Sequence, residues 1–216
     1  IALKAIRPEV KVVGVQAAGS RSLVESIKKG RIVETGKPDT FADGIKVEHA
    51  SPAMFSILKR VVDQVTAVED EDIAQAILTL LEKAKTLAEG SGATTLAALE
   101  NIKGQVKGKN VVLIISGGNI DVNVLSRIID RGLTLSGRRL RINAWIKDKP
   151  GSLNALTQLI ADANGNVLQV IHDRNVPSTG LDETEVELTL ETRGEQHSRE
   201  LIQKLRAHVE RLELLH

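Results

Sequence analysis

The chain has 216 residues, 42% hydrophobic and 26% charged, an ordinary composition for a globular protein with room for a core in one large domain or two small ones. With 29 basic against 28 acidic residues the net charge is +1, and Phe41, Phe55 and Trp145 are the only aromatic residues, so nucleic acid is not an expected partner. The lack of cysteine excludes disulfides and thiolate chemistry, no apolar run approaches the ~18 residues of a membrane helix, and a cytoplasmic location with no membrane partner is the expectation.

The opening IALKAIRPEV has no signal-peptide pattern and places Ile1, Ala2, Ala5 and Ile6 at helical spacing, which predicts a chain that continues upstream. KVVGVQ at 11–16 reads as a buried strand, followed by a helix over 22–29 that Gly30 stops. A loop-rich stretch, 30–44, leads to a helix over 52–62 with Pro52 in its first turn, and VDQVTAV at 62–68 reads as a second buried strand. The strongest helix signal runs over 69–89, where Ile73, Ile77, Leu80, Leu81, Ala84 and Ala88 form one stripe and Glu69, Asp70, Glu71 and Asp72 form a solvated acidic start that suits the helix dipole. Gly90 and Gly92 break that pattern, a short helix follows over 93–102, VVLII at 111–115 reads as a third strand, and a helix over 119–130 ends at Gly132. Alternating helices with strands that lack polar alternation predict a parallel sheet covered on both faces.

The second half changes character. LRINAWIK at 140–147 and TEVELTLE at 184–191 alternate strictly, with Leu140, Ile142, Ala144 and Ile146, and then Val186, Leu188 and Leu190, on the inner face. Trp145 falls on the outer face, where an exposed aromatic would mark an interface. With helices over 151–163 and 195–209, a strand over 166–174 and a last strand in ERLELLH, the order is β-α-β-β-α-β, the ferredoxin-like arrangement. Domains are expected over 1–132 and 140–216, with a polar linker over 133–139.

The segment VVLIISGGNID at 111–121 carries the chemistry. A strand running into Ser116, Gly117, Gly118 and Asn119 and then a helix puts its loop at the carboxyl edge of a parallel sheet, where ligands bind. Glycines allow close backbone approach, and a helix N-terminus offers free N–H groups. Alone, the segment is equally compatible with a phosphate or nucleotide loop and with a structural turn.

The order VVGVQ, TFADGIKV, DEDIAQAILTLLEKAKTLAEGSGATTLAAL, VVLIISGGNID resembles the C-terminal part of the fold-type II (tryptophan synthase β-like) pyridoxal-phosphate lyases, in particular the threonine dehydratases, with serine racemase as a relative. DKPGSL, HDRN and TRGEQH resemble the single ACT domain attached to many such dehydratases. The resemblance implies an α/β catalytic part followed by a βαββαβ ACT domain, pyridoxal 5′-phosphate as cofactor, and conversion of threonine (or serine) to a 2-oxo acid and ammonia, as in isoleucine biosynthesis. It places Ser116 opposite the pyridine nitrogen, Gly44 along the cofactor ring, Glu89 beside it, and Gly117, Gly118 and Asn119 in the pocket wall. In the ACT part it places an amino-acid effector at the loop Asp148, Lys149, Pro150, Gly151, Ser152 and Leu153, and it implies a homo-oligomer, a dimer or tetramer, with ACT domains pairing edge to edge. Serine racemase-like members hold a divalent cation with two carboxylates where this chain has Gln16 and Ser22, so no metal is expected there. Nor do His49, His172, His197, His208 and His216 have metal-ligand spacing.

Two parts of the family's equipment are missing: the Ser-x-Lys-x-Arg-Gly-Ala segment that carries the Schiff-base lysine, and the tetraglycine phosphate loop, expected just before Ile1. No catalytic lysine is therefore assigned, the chain alone is expected to be inactive, and half a parallel sheet is expected to leave an exposed edge that associates or misfolds. The alternative reading is a non-catalytic, amino-acid-binding regulator whose α/β half is only a scaffold; a nucleotide-binding α/β protein that uses the SGGN loop for phosphate is a third.

Overall fold

The computed structural model describes residues 1–174 and 180–215. Asn175 of the HDRN segment and His216 lie outside the described residues. The chain divides into two compact units, Ile1–Ile128 and Ile129–His216.

The first unit opens with a short helix, α1 (Ala2–Ile6), and a strand, β1 (Val13–Ala17). After a single 3-10 turn (Ala18–Ser20) come α2 (Ser22–Lys29), α3 (Pro52–Val61), β2 (Gln64–Val68) and α4 (Asp70–Thr79). The start of α2 is held from the strand: Gln16 is buried, and its Oε1 accepts the Val24 amide at 2.9 Å, so the carboxamide takes the place of an N-cap. α3 uses a conventional cap, Ser51 accepting from Met54 N with Pro52 in the first turn. β1 and β2 pair in parallel, Val13 opposite Gln64 through Ala17 opposite Val68, as the alternating order of strands and helices predicts.

The helix expected over 69–89 is shorter. Ile73, Ile77 and Leu80 bury as the stripe requires, but the backbone passes at Leu80–Ala84 into a π-helical turn and ends at Lys85, whose φ is +54°. The wider turn rotates Ala84 out to solvent, while Ala88 returns to the core from the loop. Gly90 and Gly92 are not breakers. They are buried in the first turn of α5 (Gly90–Ala97), and α6 (Leu99–Val106) follows after a bend at Ala98. The core gathers Ala17, Ala42, Val68, Ile73, Ile77, Ala88, Ala93 and Ile128. Half of these are alanines, which lets helices and loops approach closely.

The third strand, expected over 111–115, is not formed. The run joins neither β1 nor β2; it lies along α5, with Thr95 Oγ1 donating to Ile114 O at 3.1 Å. A strand needs a neighbouring ladder, and without one β-branched side chains do not suffice. Val112 and Ile114 stand 87% and 72% exposed. The next helix, α7 (Val122–Leu135), starts later than expected and passes through Gly132; the boundary between the units falls within it.

The second unit contains β3 (Arg139–Lys147), α8 (Ser152–Asp162), β4 (Asn166–Asp173), β5 (Glu183–Glu191), α9 (Glu195–Arg206) and β6 (Arg211–Leu215). Its antiparallel sheet has the order β4-β5-β3-β6, the ferredoxin-like topology. Ile142, Ala144, Val186, Leu188 and Leu190 pack against Leu156, Ile160, Leu201 and Leu205 of the two helices. The TRGEQH segment forms the turn into α9 and its first residues. Buried His197 accepts from Arg193 N at 3.0 Å and meets Ala163 O at 2.7 Å through its other ring nitrogen, while Ser198 Oγ and Thr192 Oγ1 both donate to Gly137 O.

Trp145 departs from the expectation of an exposed aromatic: it is only 3% exposed. The β3–β6 register sets Arg211 opposite it, and the guanidinium lies 3.6 Å from the ring centroid, so a cation–π contact covers the outer position.

Candidate cofactor site

Two loops converge on the first turn of α5, and the segment LAEGSG explains why they can. A Cβ at Gly90 would lie 2.9 Å from a Phe41 ring carbon and 3.0 Å from Ala42 Cα; one at Gly92 would overlap the Ser116 carbonyl oxygen. Each glycine therefore admits one loop, the TFADGIKV loop on one side and the SGGN loop on the other.

Glu89 lies between them. Its Oε1 accepts from Ser91 Oγ at 2.5 Å, its Oε2 accepts from Asn119 N at 3.2 Å, and its own amide donates to Gly117 O at 3.3 Å. Gly117 has a φ of +81°, and a Cβ there would collide with Glu89 Oε1. At Gly44 a Cβ would come within 2.5 Å of Ser91 Oγ and 3.2 Å of Glu89 Oε1. The carboxylate is thus held by hydrogen bonds and flanked by bare backbone on two sides. Gly44, Glu89, Ser91 and Asn119, with Phe41, Asp43, Ile120 and Val124, line a cleft of about 80 Å³.

Of the six residues expected at the cofactor, Gly44, Glu89 and Asn119 line the cleft, and Gly117 touches Glu89. Gly118 lies against Leu87 O, and Ser116 is exposed at the lip, its carbonyl rather than its hydroxyl packed on α5. Ser91 was not among the expected residues; its place two positions after Glu89 gives it the hydrogen bond that fixes the carboxylate.

The arrangement sets an oriented carboxylate at the edge of a small cleft. The missing Cβ atoms at Gly44 and Gly117 leave space that Glu89 and Ser91 fill, Glu89 supplies an oriented acceptor, and Ser116 is exposed at the lip. Among the described residues no cluster of three His, Asp or Glu side chains gathers as a metal site. No described helix is long and apolar enough to cross a membrane.

In the second unit the loop Asp148–Leu153 is exposed at Asp148, Pro150 and Gly151, with Gly151 at φ +92° and open space around it. Asp148 pairs with Arg174 at 3.1 Å. Leu153 packs on the core of its unit, and only Ser152 of the expected effector residues reaches the nearby cleft of about 210 Å³, which Ile146, Lys147, Leu156, His208 and Glu210 also line. Beside it Lys147 Nζ meets Asp182 at 3.1 Å, Glu183 at 3.4 Å and Glu210 at 3.8 Å. The hydrogen bond to Asp182 raises the Lys147 pKa above its ordinary 10.5, and the same bond holds Asp182 below its ordinary 3.8. The depressed carboxylate favours the fold above pH 3.8, and that contribution is lost as pH falls through its lowered value. The raised lysine contributes fully below 10.5 and loses its share as pH rises past its folded value. Carboxyl ¹³C titration is expected to show Asp182 ionising below 3.8 in the wild type and returning toward 3.8 in Lys147→Met. An unchanged midpoint in the variant would contradict the pairing.

Comparisons with known proteins place the first unit in a family. Residues 1–117 match the family described as pyridoxal-phosphate dependent enzyme, and the chain belongs to that family, whose cofactor is pyridoxal 5′-phosphate. Its fold-type II relatives include the L-threonine ammonia-lyases of Thermotoga maritima, 46% identical over 93% of this chain and 50% of that protein, and of Geobacter sulfurreducens, 41% identical over 94% and 51%. The chain spans about half the length of these curated relatives. Among solved structures, processed threonine deaminase isoform 2 from Solanum lycopersicum superposes with a TM-score of 0.55 at 30% identity, over 59% of this chain and 36% of that one. Maize serine racemase gives 0.54 at 28% identity, over 61% and 42%.

Proposed function

We propose that the chain is the C-terminal portion of a pyridoxal-phosphate-dependent threonine (serine) dehydratase, which converts L-threonine to 2-oxobutanoate and ammonia and carries an amino-acid-sensing ACT domain over 140–216. The observation that carries this reading is the convergence of Gly44, Glu89, Gly117 and Asn119, taken from three separate segments, on one carboxylate-centred cleft. The names and identities of the ammonia-lyase relatives support the reaction.

When bound, the cofactor supplies the electron sink for loss of a substrate proton and hydroxide. This chain's part is to orient it. Glu89, held by Ser91 and Asn119 against the bare backbone of Gly44 and Gly117, would stand beside the ring. Ser116 would offer the ring nitrogen a neutral hydroxyl, which would temper electron withdrawal where a carboxylate would enforce it. The lysine that anchors the cofactor is assigned to a segment outside these 216 residues, so the chain alone is inactive. An amino-acid effector binds around Asp148, Pro150, Gly151, Ser152 and Leu153, and shifts activity by its differential affinity for two conformations. The enzyme assembles as a homo-oligomer through its ACT domains; Leu168, Val170 and Ile171 on the edge strand β4 are exposed and support such pairing.

The test joins this segment to the lysine-bearing segment of the family and adds pyridoxal phosphate. A visible band of protein-bound cofactor, together with 2-oxobutanoate formed from threonine, is the expected result. Saturable binding of branched amino acids with no such band would favour the non-catalytic regulator, and nucleotide binding in its place would favour the phosphate-loop alternative.

A further inference from the structure

We infer that Thr40, Asp70 and Ser20 form a two-point latch that positions the 40–47 loop, and through it Gly44, for the cofactor; the inference rests on the cofactor-site reading above. The front of the loop is tied to the first turn of α4. Asp70 Oδ1 accepts from Thr40 Oγ1 at 2.5 Å, Asp70 Oδ2 accepts from Phe41 N at 3.0 Å, and Thr40 Oγ1 accepts in turn from Ala42 N at 3.1 Å. Thr40 is 4% exposed and Ala42 is fully buried, while Asp70 and Phe41 are half-buried, so the Thr40 end of this network is sheltered from water. The back of the loop is tied to the 3-10 turn after β1. Ser20 Oγ accepts from Val47 N at 3.0 Å and lies 3.1 Å from Ile45 O and 2.9 Å from Val47 O, and Ser20 has no exposed surface. Gly19, next to Ser20, meets the chain just ahead of Thr40: Asp39 N donates to its carbonyl at 2.9 Å, and a Cβ there would overlap Asp39 O.

Gly44 lies between the two ties and against Ser91 and Glu89. The loop has little regular structure of its own, only the 3-10 turn Asp43–Ile45, so its path is set by what holds its ends. Asp70 is one of four consecutive acidic residues at the start of α4, and the latch gives it a task that helix-dipole complementarity alone does not require. These three are positioning residues: they reach the cofactor only through the loop.

The test uses the holoenzyme that contains this segment, with variants Thr40→Val, Ser20→Ala and Asp70→Asn, and with Thr40→Ser as the conservative rescue. Three quantities are read: the cofactor dissociation constant from spectrophotometric titration of the apoenzyme, the thermal midpoint, and kcat and KM for threonine. Thr40→Val and Ser20→Ala are each expected to weaken cofactor binding about tenfold, the effect of losing one buried hydrogen bond, whereas Thr40→Ser restores binding to near the wild-type value. A lowered thermal midpoint with unchanged cofactor affinity in both Thr40→Val and Ser20→Ala would overturn the latch and leave only a structural role. Where Asp70→Asn fails to fold, Thr40→Val still interrogates the same bond with a near-isosteric side chain. Failure of the cofactor-site reading is distinguishable, because the wild-type holoenzyme itself would then show no saturable cofactor binding.

Discussion

Gly92→Ala is expected to unseat the SGGN loop and destabilise the first unit by about 3 kcal/mol, at the upper end of what overpacking a tight contact costs. The added methyl group would occupy the place of the Ser116 carbonyl oxygen and come within 2.9 Å of Gly117 O. Both obstacles are backbone, so no rotamer change relieves them. The helix cannot retreat, because Ala93 and Thr94 behind Gly92 are buried. The alternative is for residues 116–119 to move outward, and that breaks the bonds from Glu89 N to Gly117 O and from Asn119 N to Glu89 Oε2. Chemical denaturation read by backbone circular dichroism, together with cofactor titration in the holoenzyme, measures both consequences. Gly104→Ala is the control, since it sits on α6 with nothing within 4 Å of the added carbon beyond its chain neighbours and the helix's own backbone. A wild-type response from Gly92→Ala would mean that the loop does not pack on α5 as described.

Glu89→Ala is expected to weaken cofactor binding in the holoenzyme by roughly 10- to 100-fold, the equivalent of the ~1.5–3 kcal/mol carried by hydrogen bonds to a charged group. Removing the carboxylate strands two donors, Ser91 Oγ and Asn119 N, and opens a gap between Gly44 and Gly117. Glu89→Gln separates charge from shape. The amide fills the same space and retains one acceptor oxygen, so it is expected to hold the loops while losing the negative charge at that position. If Gln matches wild type in cofactor affinity and turnover while Ala does not, the residue acts by bracing the loops; if Gln binds cofactor but turns over slowly, the charge itself serves the reaction.

The regular half of this architecture was legible in the residues. Strict alternation in LRINAWIK and TEVELTLE gave the antiparallel strands nearly to the residue, because one buried face and one wet face impose a period of two. The parallel pair β1–β2 followed from apolar runs bounded by polar residues. VVLII at 111–115 misled for a physical reason: propensity describes a side chain's fit to a pleated surface, whereas a ladder requires a neighbouring strand. LAEGSG misled in another way. Glycine lowers helix propensity, so Gly90 and Gly92 read as a break; their small size is instead what lets two loops reach the start of α5. At the site, Gly44, Glu89 and Asn119 came from the family resemblance, since position in the chain alone reads Glu89 as a solvated helix-end residue. Ser91, Thr40, Asp70 and Ser20 were invisible as a group, because their partners lie 2 to 30 positions away and no local pattern marks a side chain that hydrogen-bonds a distant loop. Trp145 was placed on the correct face, but its cover, Arg211, comes from the last strand, and the register between them could not be read in advance.

That pairing has an optical consequence. Trp145 is the single tryptophan and tyrosine is absent, so intrinsic fluorescence excited at the indole band arises from one site in the second unit. A shielded indole beneath a guanidinium emits toward the blue and resists aqueous quenchers, and both properties change when Arg211 lifts away. Titrating candidate effectors while following that emission therefore reads the β3–β6 pair alone, with no contribution from the first unit to subtract.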